Sequence, residues 1–367
     1  MTRNLKYLLL MIILTNLTAC VRTVSYQDAA IASTSHEPHG FLQSCFQFSE
    51  SELTAMEQGE IIVKVFDMPS VENEVGAFGI MRLNLPKEVF VEQFRDIVSF
   101  TKSEEVKAIA KFSMPPRIED IQELTLADDA VSALKTCAPG DCKVKMDARA
   151  MERFRTEIDW EAANYHEQAT QLMKQTLVDY VTRYLQDGDR ALGQYDDQAE
   201  PLRIADAFRG VLENSTYLRE YVPEFYTYLE NFPKGRLPNV ENFVYWSIEQ
   251  FGLRPVINLY HVTIYTRKRN GKEDVFITSK QIYASHYFEI AFGFTAFVDE
   301  VGGKRPANAY LMYLNRSRFD KLYGGLKDVI MSIGKGKVYD GVKFYFRQVK
   351  DKLEAIQVVD QKPHQDL

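Results

Sequence analysis

The sequence predicts an α+β fold, in which an antiparallel sheet formed by N- and C-terminal strands carries a long C-terminal helix and a central all-helical block. Three observations lead there. Strand-like runs, β-branched or alternating, occur at 61–66 and 76–83 and return only after Pro255, at 256–266 and 275–283. Between them, from Trp160 to Phe251, apolar residues recur at helical spacing. Near the end, Val338, Val342, Tyr345, Phe346, Val349 and Leu353 make one apolar stripe of helical period.

The chain opens with Arg3 and Lys6, then an apolar run over 7–14, which together read as the n-region and h-region of a secretory signal ending at residue 19. The run is too short to span a bilayer, which takes about 20 apolar residues. Leu17-Thr18-Ala19-Cys20 follows and resembles the bacterial lipobox. That resemblance implies that Cys20 receives a diacylglycerol, that the signal is cut before it, and that the new amino terminus is acylated. Val21 stands where the family's inner-membrane retention signal has aspartate, so the implied destination is the outer membrane, on its periplasmic side. Residues 20–40 hold Ser, Thr, Gln, Asp, His and Pro without periodicity and read as the lipidated anchor and a flexible linker.

Folding is expected to begin near Cys45, with a helix over 52–58 ended by Gly59. The strands at 61–66 and 76–83 form a hairpin around a turn at Pro69, and Pro86 starts a helix bearing Val89, Phe90, Phe94, Ile97 and Val98. Residues 111–146 read as irregular, broken by Pro115-Pro116. The helical block has a long helix over 160–186 stopped by Gly188, and a second over 201–212. Turns follow through Tyr217, Tyr221, Phe225, Tyr228 and Phe232, with Pro223 interrupting or restarting the helix. More helix is expected through Phe243, Val244, Ser247, Ile248 and Phe251 before Gly252.

Asn270-Gly271 between two strand-like runs is the strongest short-range hairpin signal in the chain. Residues 309–314 offer a third strand, 288–298 a strand or short helix, and the final helix should lie across the sheet. The expected organisation is a signal peptide (1–19), anchor and linker (20–40), an N-terminal α+β part (41–150), the helical block (151–254), a C-terminal sheet plus helix (255–358) and a polar tail (359–367).

Hydrophobic content of 46% and charged content of 26% match an ordinary globular protein, while 20 Tyr and 23 Phe are many and suit thick cores or apolar pockets. The formal charge of −7 includes Arg3 and Lys6, so the mature chain carries about −9, which argues against nucleic acid as a partner. Export places the remaining cysteines in an oxidising compartment. Cys137 and Cys142 flank a Pro139-Gly140 turn and are expected to form a disulfide. A metal knuckle is the competing reading, and no further Cys or His stands near enough to complete one. Cys45 is left either buried or paired with a partner that the sequence does not identify.

Candidate chemistry gathers in the C-terminal part. His261 shares a strand face with Ile257, Leu259, Thr263 and Tyr265, and a two-residue turn would place Lys280 opposite it, a poor neighbour for a general base. Ser285, His286 and Glu289 form the most suggestive short run, and with His261 they outline a hydrolase or metal site. No Gly-x-Ser-x-Gly elbow and no His-Glu-x-x-His helix supports either, so neither a metal nor another cofactor is expected. Arg316, Arg318, Lys321, Lys327, Lys335 and Lys337 concentrate positive charge, and Arg316, Arg318, His261 and His286 are the candidate ligand or anion contacts, against the plainer reading of a solvated loop. Gly334-Lys335-Gly336-Lys337 lacks the spacing of a phosphate loop.

The order strand, strand, helix at 60–100, with an antiparallel run and long helix at 255–355, is similar to START-like helix-grip lipid-binding folds, in which a curved sheet wraps the last helix around a cavity. The helical block between these parts departs from that pattern. The resemblances together imply a membrane-anchored periplasmic lipoprotein, non-enzymatic, that binds a hydrophobic small molecule or an envelope protein in a pocket between the sheet and the helical block. The alternatives are an envelope hydrolase around His261, Ser285, His286 and Glu289, and a structural role in envelope assembly.

Overall fold

The computed structural model describes residues 38–360 except 69–70, 72, 84–86, 253, 270–271, 300–308 and 322–326. The expectations for the signal, for Cys20, for most of the linker and for the tail lie outside the described residues, as do Pro69, Pro86, Asn270 and Gly271. The fold is α+β, with a long C-terminal helix on a large antiparallel sheet. Among the described residues no helix is long and apolar enough to cross a membrane.

Two short helices come first, α1 (Pro38–Phe46) and α2 (Glu50–Glu57). The second starts from a capping box. Ser49 accepts from the Glu52 N–H while the Glu52 carboxylate accepts from the Ser49 N–H, so two otherwise orphaned donors are satisfied. Gly59 follows this helix at φ +86, as its place in the sequence anticipates. β1 (Ile62–Asp67) and β2 (Glu74–Leu83) form the expected hairpin. The single helix expected next is two, α3 (Lys87–Arg95) and α4 (Ile97–Thr101), because the Asp96 side chain caps a new N-terminus through the Ser99 N–H. β3 (Val106–Lys111) was not anticipated; its Ala and Lys content favours helix, and it holds as an edge strand only by pairing with a long neighbour.

The stretch 111–146, read as irregular, contains helix α5 (Asp128–Thr136) and then the disulfide Cys137–Cys142, which forms as expected. The block continues through α6 (Ala148–Glu157), α7 (Tyr165–Asp187), α8 (Ile204–Glu213), α9 (Thr216–Tyr221) and α10 (Pro223–Glu230), interrupted by the two-residue strands β4 (Gln194–Tyr195) and β5 (Leu202–Arg203). Pro223 opens α10 as its first residue, where its missing N–H costs nothing.

The helix expected through Phe243 to Phe251 is instead strand β6 (Val240–Gln250). Val244, Trp246 and Ile248 face the helical block while Phe243 and Tyr245 face the opposite layer, so the strand is apolar on both sides. A continuous apolar run has no period of two to betray it, and its residues also fit helical spacing. Strands β7 (Pro255–Arg269), β8 (Lys272–Ala284), β9 (Phe288–Asp299) and β10 (Ala309–Phe319) complete the sheet, and helix α11 (Lys327–Asp360) follows. Arg269 pairs with Lys272, so the β7–β8 hairpin forms about the Asn-Gly positions, and the same register puts Lys280 opposite His261 as the two-residue turn predicts.

All pairings are antiparallel, in the order β1-β2-β10-β9-β8-β7-β6-β3. Strands β6 to β10 are a meander. The last strand docks against the N-terminal hairpin, and α3 and α4 carry the chain from that edge to β3 at the other. The helical block is therefore an insertion between the neighbouring strands β3 and β6.

Each face of the sheet has its own cover. One face packs on the helical block, through Leu259, Phe276, Phe292 and Trp246 against Leu177, Val181, Phe208 and Phe225, and near β2 and β10 on α1 and α2. The other face receives α3, α4 and α11. There, a Cβ on Gly79 would lie 2.2 Å from the Phe346 ring, so the helix seats on bare strand backbone.

We expect Gly79→Ala to destabilise the protein by about 1–3 kcal/mol through overpacking and Phe346→Ala by about 3–5 kcal/mol through the cavity left behind. Urea denaturation of both and of the double variant checks this, because a shared contact requires the double variant to lose less than the sum.

Candidate functional site

The sequence-predicted residues do not form one constellation. His261 lies on β7 facing the helical block, with Nδ1 2.8 Å from the Tyr184 hydroxyl and Nε2 2.9 Å from Asn242 Oδ1. Its ring lies 4.3 Å from that of Phe232. Burial, reinforced by the Lys280 charge, pushes its pKa down to about 3. Lys280 in turn is held by Asp189 and lies over the Phe208 ring at 4.5 Å.

Ser285 and His286 sit at the turn after β8. The Ser285 hydroxyl accepts from the Ile257 N–H at 2.9 Å. Ile257 is four residues from His261, about 13 Å along the strand, so His261 is remote from this turn. Ser279, the other serine a hydrolase reading could use, points to the other face of the sheet. Glu289 pairs with Arg318 at 2.7 Å. Among the described residues no three His, Cys, Asp or Glu side chains are placed to hold a metal.

The arginines expected at an anion site are likewise committed. Both stand on β10 rather than in a loop, and Arg316 is almost fully buried, with Nε 2.6 Å from Glu74 Oε1 and Nη1 2.8 Å from the Val211 carbonyl oxygen. Lys335 stands on α11, paired with Asp67 at 2.8 Å. The aromatic stripe Tyr217, Phe225, Tyr228 and Phe232 packs onto the sheet, leaving Tyr221 exposed.

Where the helical block meets the end of the sheet, a cleft of about 550 Å³ runs past the disulfide loop, lined by Asp129, Thr136, Lys143 and Arg254. A smaller neighbour of about 220 Å³ shares Asp129 and Arg254 and reaches Val144, Ile257, Ser285 and His286. Arg254 is paired with Asp129 at 3.0 Å across this opening.

A more distinctive arrangement lies on the opposite face, beneath α11. Cross-strand partners share a face, and the register there lines up short or polar residues across the middle of the sheet: Ser279 with Gly293 and Asn315, and Ala291 with Ser317. Gln281, opposite Tyr260, continues this floor, and Asn258 opposite Ser247 extends it towards Glu249. Rings rise around it. Tyr245 and Tyr260 stack with centroids 5.1 Å apart on one side, and Tyr313 and Tyr345 meet at 5.1 Å on the other. Tyr260, Ser279, Tyr313, Asn315, Tyr345 and Glu249 are only half-buried although helices cover this face, so solvent reaches them between sheet and helix.

The floor is a hydrogen-bonded network. Gln281 Nε2 donates to Asn258 Oδ1 at 2.9 Å and to the Tyr260 hydroxyl at 3.3 Å. Ser317 donates to Asn315 Oδ1 at 2.7 Å, and Asn315 Nδ2 donates to the Tyr313 hydroxyl at 3.2 Å. Glu249 accepts from the Ser247 hydroxyl and from Asn258. Burial pushes its pKa up, partly offset by those two bonds. Gln281 is only 2% exposed, yet its carbonyl oxygen has no hydrogen-bond partner among the described residues.

Apart from Ser279, an alternative hydrolase serine, none of these residues stands out in the sequence as a site. Their signal is polar side chains at alternate strand positions, Ser279 and Gln281, Tyr313, Asn315 and Ser317, which ordinarily mark a solvent face. No family model matches the chain, and neither a curated protein nor a solved structure matches it.

The state of His261 gives a pH test. The folded protein holds it neutral down to about pH 3, whereas the unfolded chain takes up a proton near pH 6.5. Stability should therefore fall as pH drops below 6.5, by about 2 kcal/mol on reaching pH 5 from this group alone. The stability gap between the protein and its His261→Gln variant should narrow by that amount over the interval in chemical denaturation; a constant gap would contradict the assignment.

Proposed function

We propose that this chain is a lipid-anchored protein of the bacterial envelope whose body binds an amphipathic or ring-bearing small molecule in the cleft between the sheet and the C-terminal helix, without catalysing a reaction on it. The observation that carries the reading is the floor of short and polar residues walled by the rings of Tyr245, Tyr260, Tyr313 and Tyr345. Packed interiors of this size are ordinarily apolar and closed; an internal polar floor with accessible rings above it suits a molecule having both an apolar body and hydrogen-bonding groups. The partner in the fold is the helix α11, whose Phe346 seats on Gly79 and whose Tyr345 closes the cleft.

The order of elements supports the likeness to helix-grip folds. A strand pair followed by helix, then an antiparallel run and a long final helix, are the parts that likeness rests on, with the helical block as an insertion between β3 and β6. The anchor rests on Leu17-Thr18-Ala19-Cys20 and the basic and apolar segments before it. Of the four cysteines, Cys137 and Cys142 are joined to each other and Cys45 is also disulfide-bonded, so none of the described cysteines is free. A Cys20–Cys45 disulfide would preclude a thioether on Cys20, so the two states are exclusive and differ in mass.

Intact-mass analysis of the protein extracted from native envelopes tests both parts. The expected result is a chain starting at Cys20 that carries acyl mass lost in Cys20→Ser, together with a small molecule released on denaturation. An unmodified Cys20, or one joined to Cys45, would overturn the anchor. The absence of any released molecule, together with no thermal stabilisation by amphiphiles, would overturn the binding role.

A further inference from the structure

Several buried and half-buried carboxylates among the described residues come with cations. Glu74 is joined to Arg316, Asp197 faces Lys145 at 3.5 Å, Glu289 meets Arg318 at 2.7 Å, and Asp274 meets Arg267 at 2.8 Å. Glu249 has none; Asp120, Asp147 and Asp196 also lack a cation among the described residues, but they accept backbone N–H groups. The hydrogen bonds of Glu249 come from a hydroxyl and an amide, and no ion pair reaches it among the described residues. Two lysines on adjoining elements are occupied: Lys111 on β3 gives its ammonium to the Arg95 carbonyl, and Lys352 on α11 gives its own to the carbonyls of Ser99 and Phe100.

An uncompensated carboxylate inside a protein is unfavourable unless something positive completes it. The phenol groups of Tyr245, Tyr260 and Tyr313 lie near enough to feel the Glu249 charge, and the rings of Tyr245 and Tyr260 stack 5.1 Å apart on the same face. Burial holds the hydroxyls of Tyr245 and Tyr260 well above the usual phenol range, so these rings stay neutral. Rings and carboxylate together repel an anionic ligand and attract a cation, and the unpartnered Gln281 carbonyl oxygen adds an acceptor beside the Tyr260 hydroxyl. A hydrated inorganic ion finds only one carboxylate there, whereas an organic ammonium uses the rings as well.

We propose that the cleft recognises an organic cation, its ammonium group lying against the stacked Tyr245 and Tyr260 with Glu249 as counter-charge and its apolar part extending over Ser279 and Gly293 towards Tyr313 and Tyr345. The inference rests on the ligand-binding reading above and names the ligand's chemical class.

Choline and its neutral isostere 3,3-dimethylbutan-1-ol, titrated into the full-length protein by calorimetry, test it. The cation should bind at least tenfold more tightly than the isostere, and Glu249→Gln should remove that preference. Because the substitution removes an uncompensated charge, the variant should unfold at or above the wild-type temperature, which separates loss of recognition from loss of fold. Equal binding of the two probes, unaffected by Glu249→Gln, would overturn the cation inference and leave the binding role standing. If neither probe binds and neutral amphiphiles also fail to stabilise the protein, both readings fall.

Discussion

The structure depends on a sheet that is covered on both faces. Strands β6 to β10 lie between the helical block on one side and α3, α4 and α11 on the other. In a sheet with one solvated face, polar residues at alternate positions need no explanation; here each has to be satisfied internally. The molecule does so in two ways. On the face towards the helical block, isolated polar groups are locked singly, His261 between Tyr184 and Asn242, Arg316 between Glu74 and the Val211 carbonyl. On the face beneath α11, they are gathered into a continuous floor with tyrosines around it. Locked groups fix the insertion to the sheet. The gathered ones bond to one another.

Much of the fold was legible because local chemistry and tertiary context agree. Asn270-Gly271 demanded a two-residue hairpin, and from that alone follows the His261–Lys280 pair eight residues away along β7. Pro223, Gly59 and Gly188 mark helix boundaries for reasons of backbone geometry that no packing overrides. The errors have a common origin. β6 reads as a helix because both of its sides are apolar, and β3 reads as neither because its Ala and Lys residues prefer helix and only the pairing with β6 holds it extended. The helical likeness of 128–136 is weak in the sequence because its apolar face is only Val131 and Leu134 in nine residues.

The candidate site was less legible than the fold, for a physical reason. Sequence reasoning singled out His261, His286, Arg316 and Arg318 because those residue types carry chemistry when free. Burial and pairing remove that freedom: His261 is held neutral, and both arginines are neutralised by Glu74 and Glu289. Glu249, Gln281 and the tyrosines belong to common types and give no local signal. Their significance comes from register, which brings Tyr245 beside Tyr260 and Gln281 beside Tyr260, and from the missing partner of one carboxylate. A cation at that carboxylate would supply the counter-charge that Glu74, Asp197, Glu289 and Asp274 already have.

The most direct test of this account is a crystal structure of the protein purified from native envelopes without denaturation. The account predicts electron density for a small organic molecule over Ser279 and Gly293, bounded by the rings of Tyr260 and Tyr345, with a positive group facing Glu249. Rings of Tyr313 and Tyr345 collapsed onto the floor, with Glu249 turned out to solvent, would contradict it.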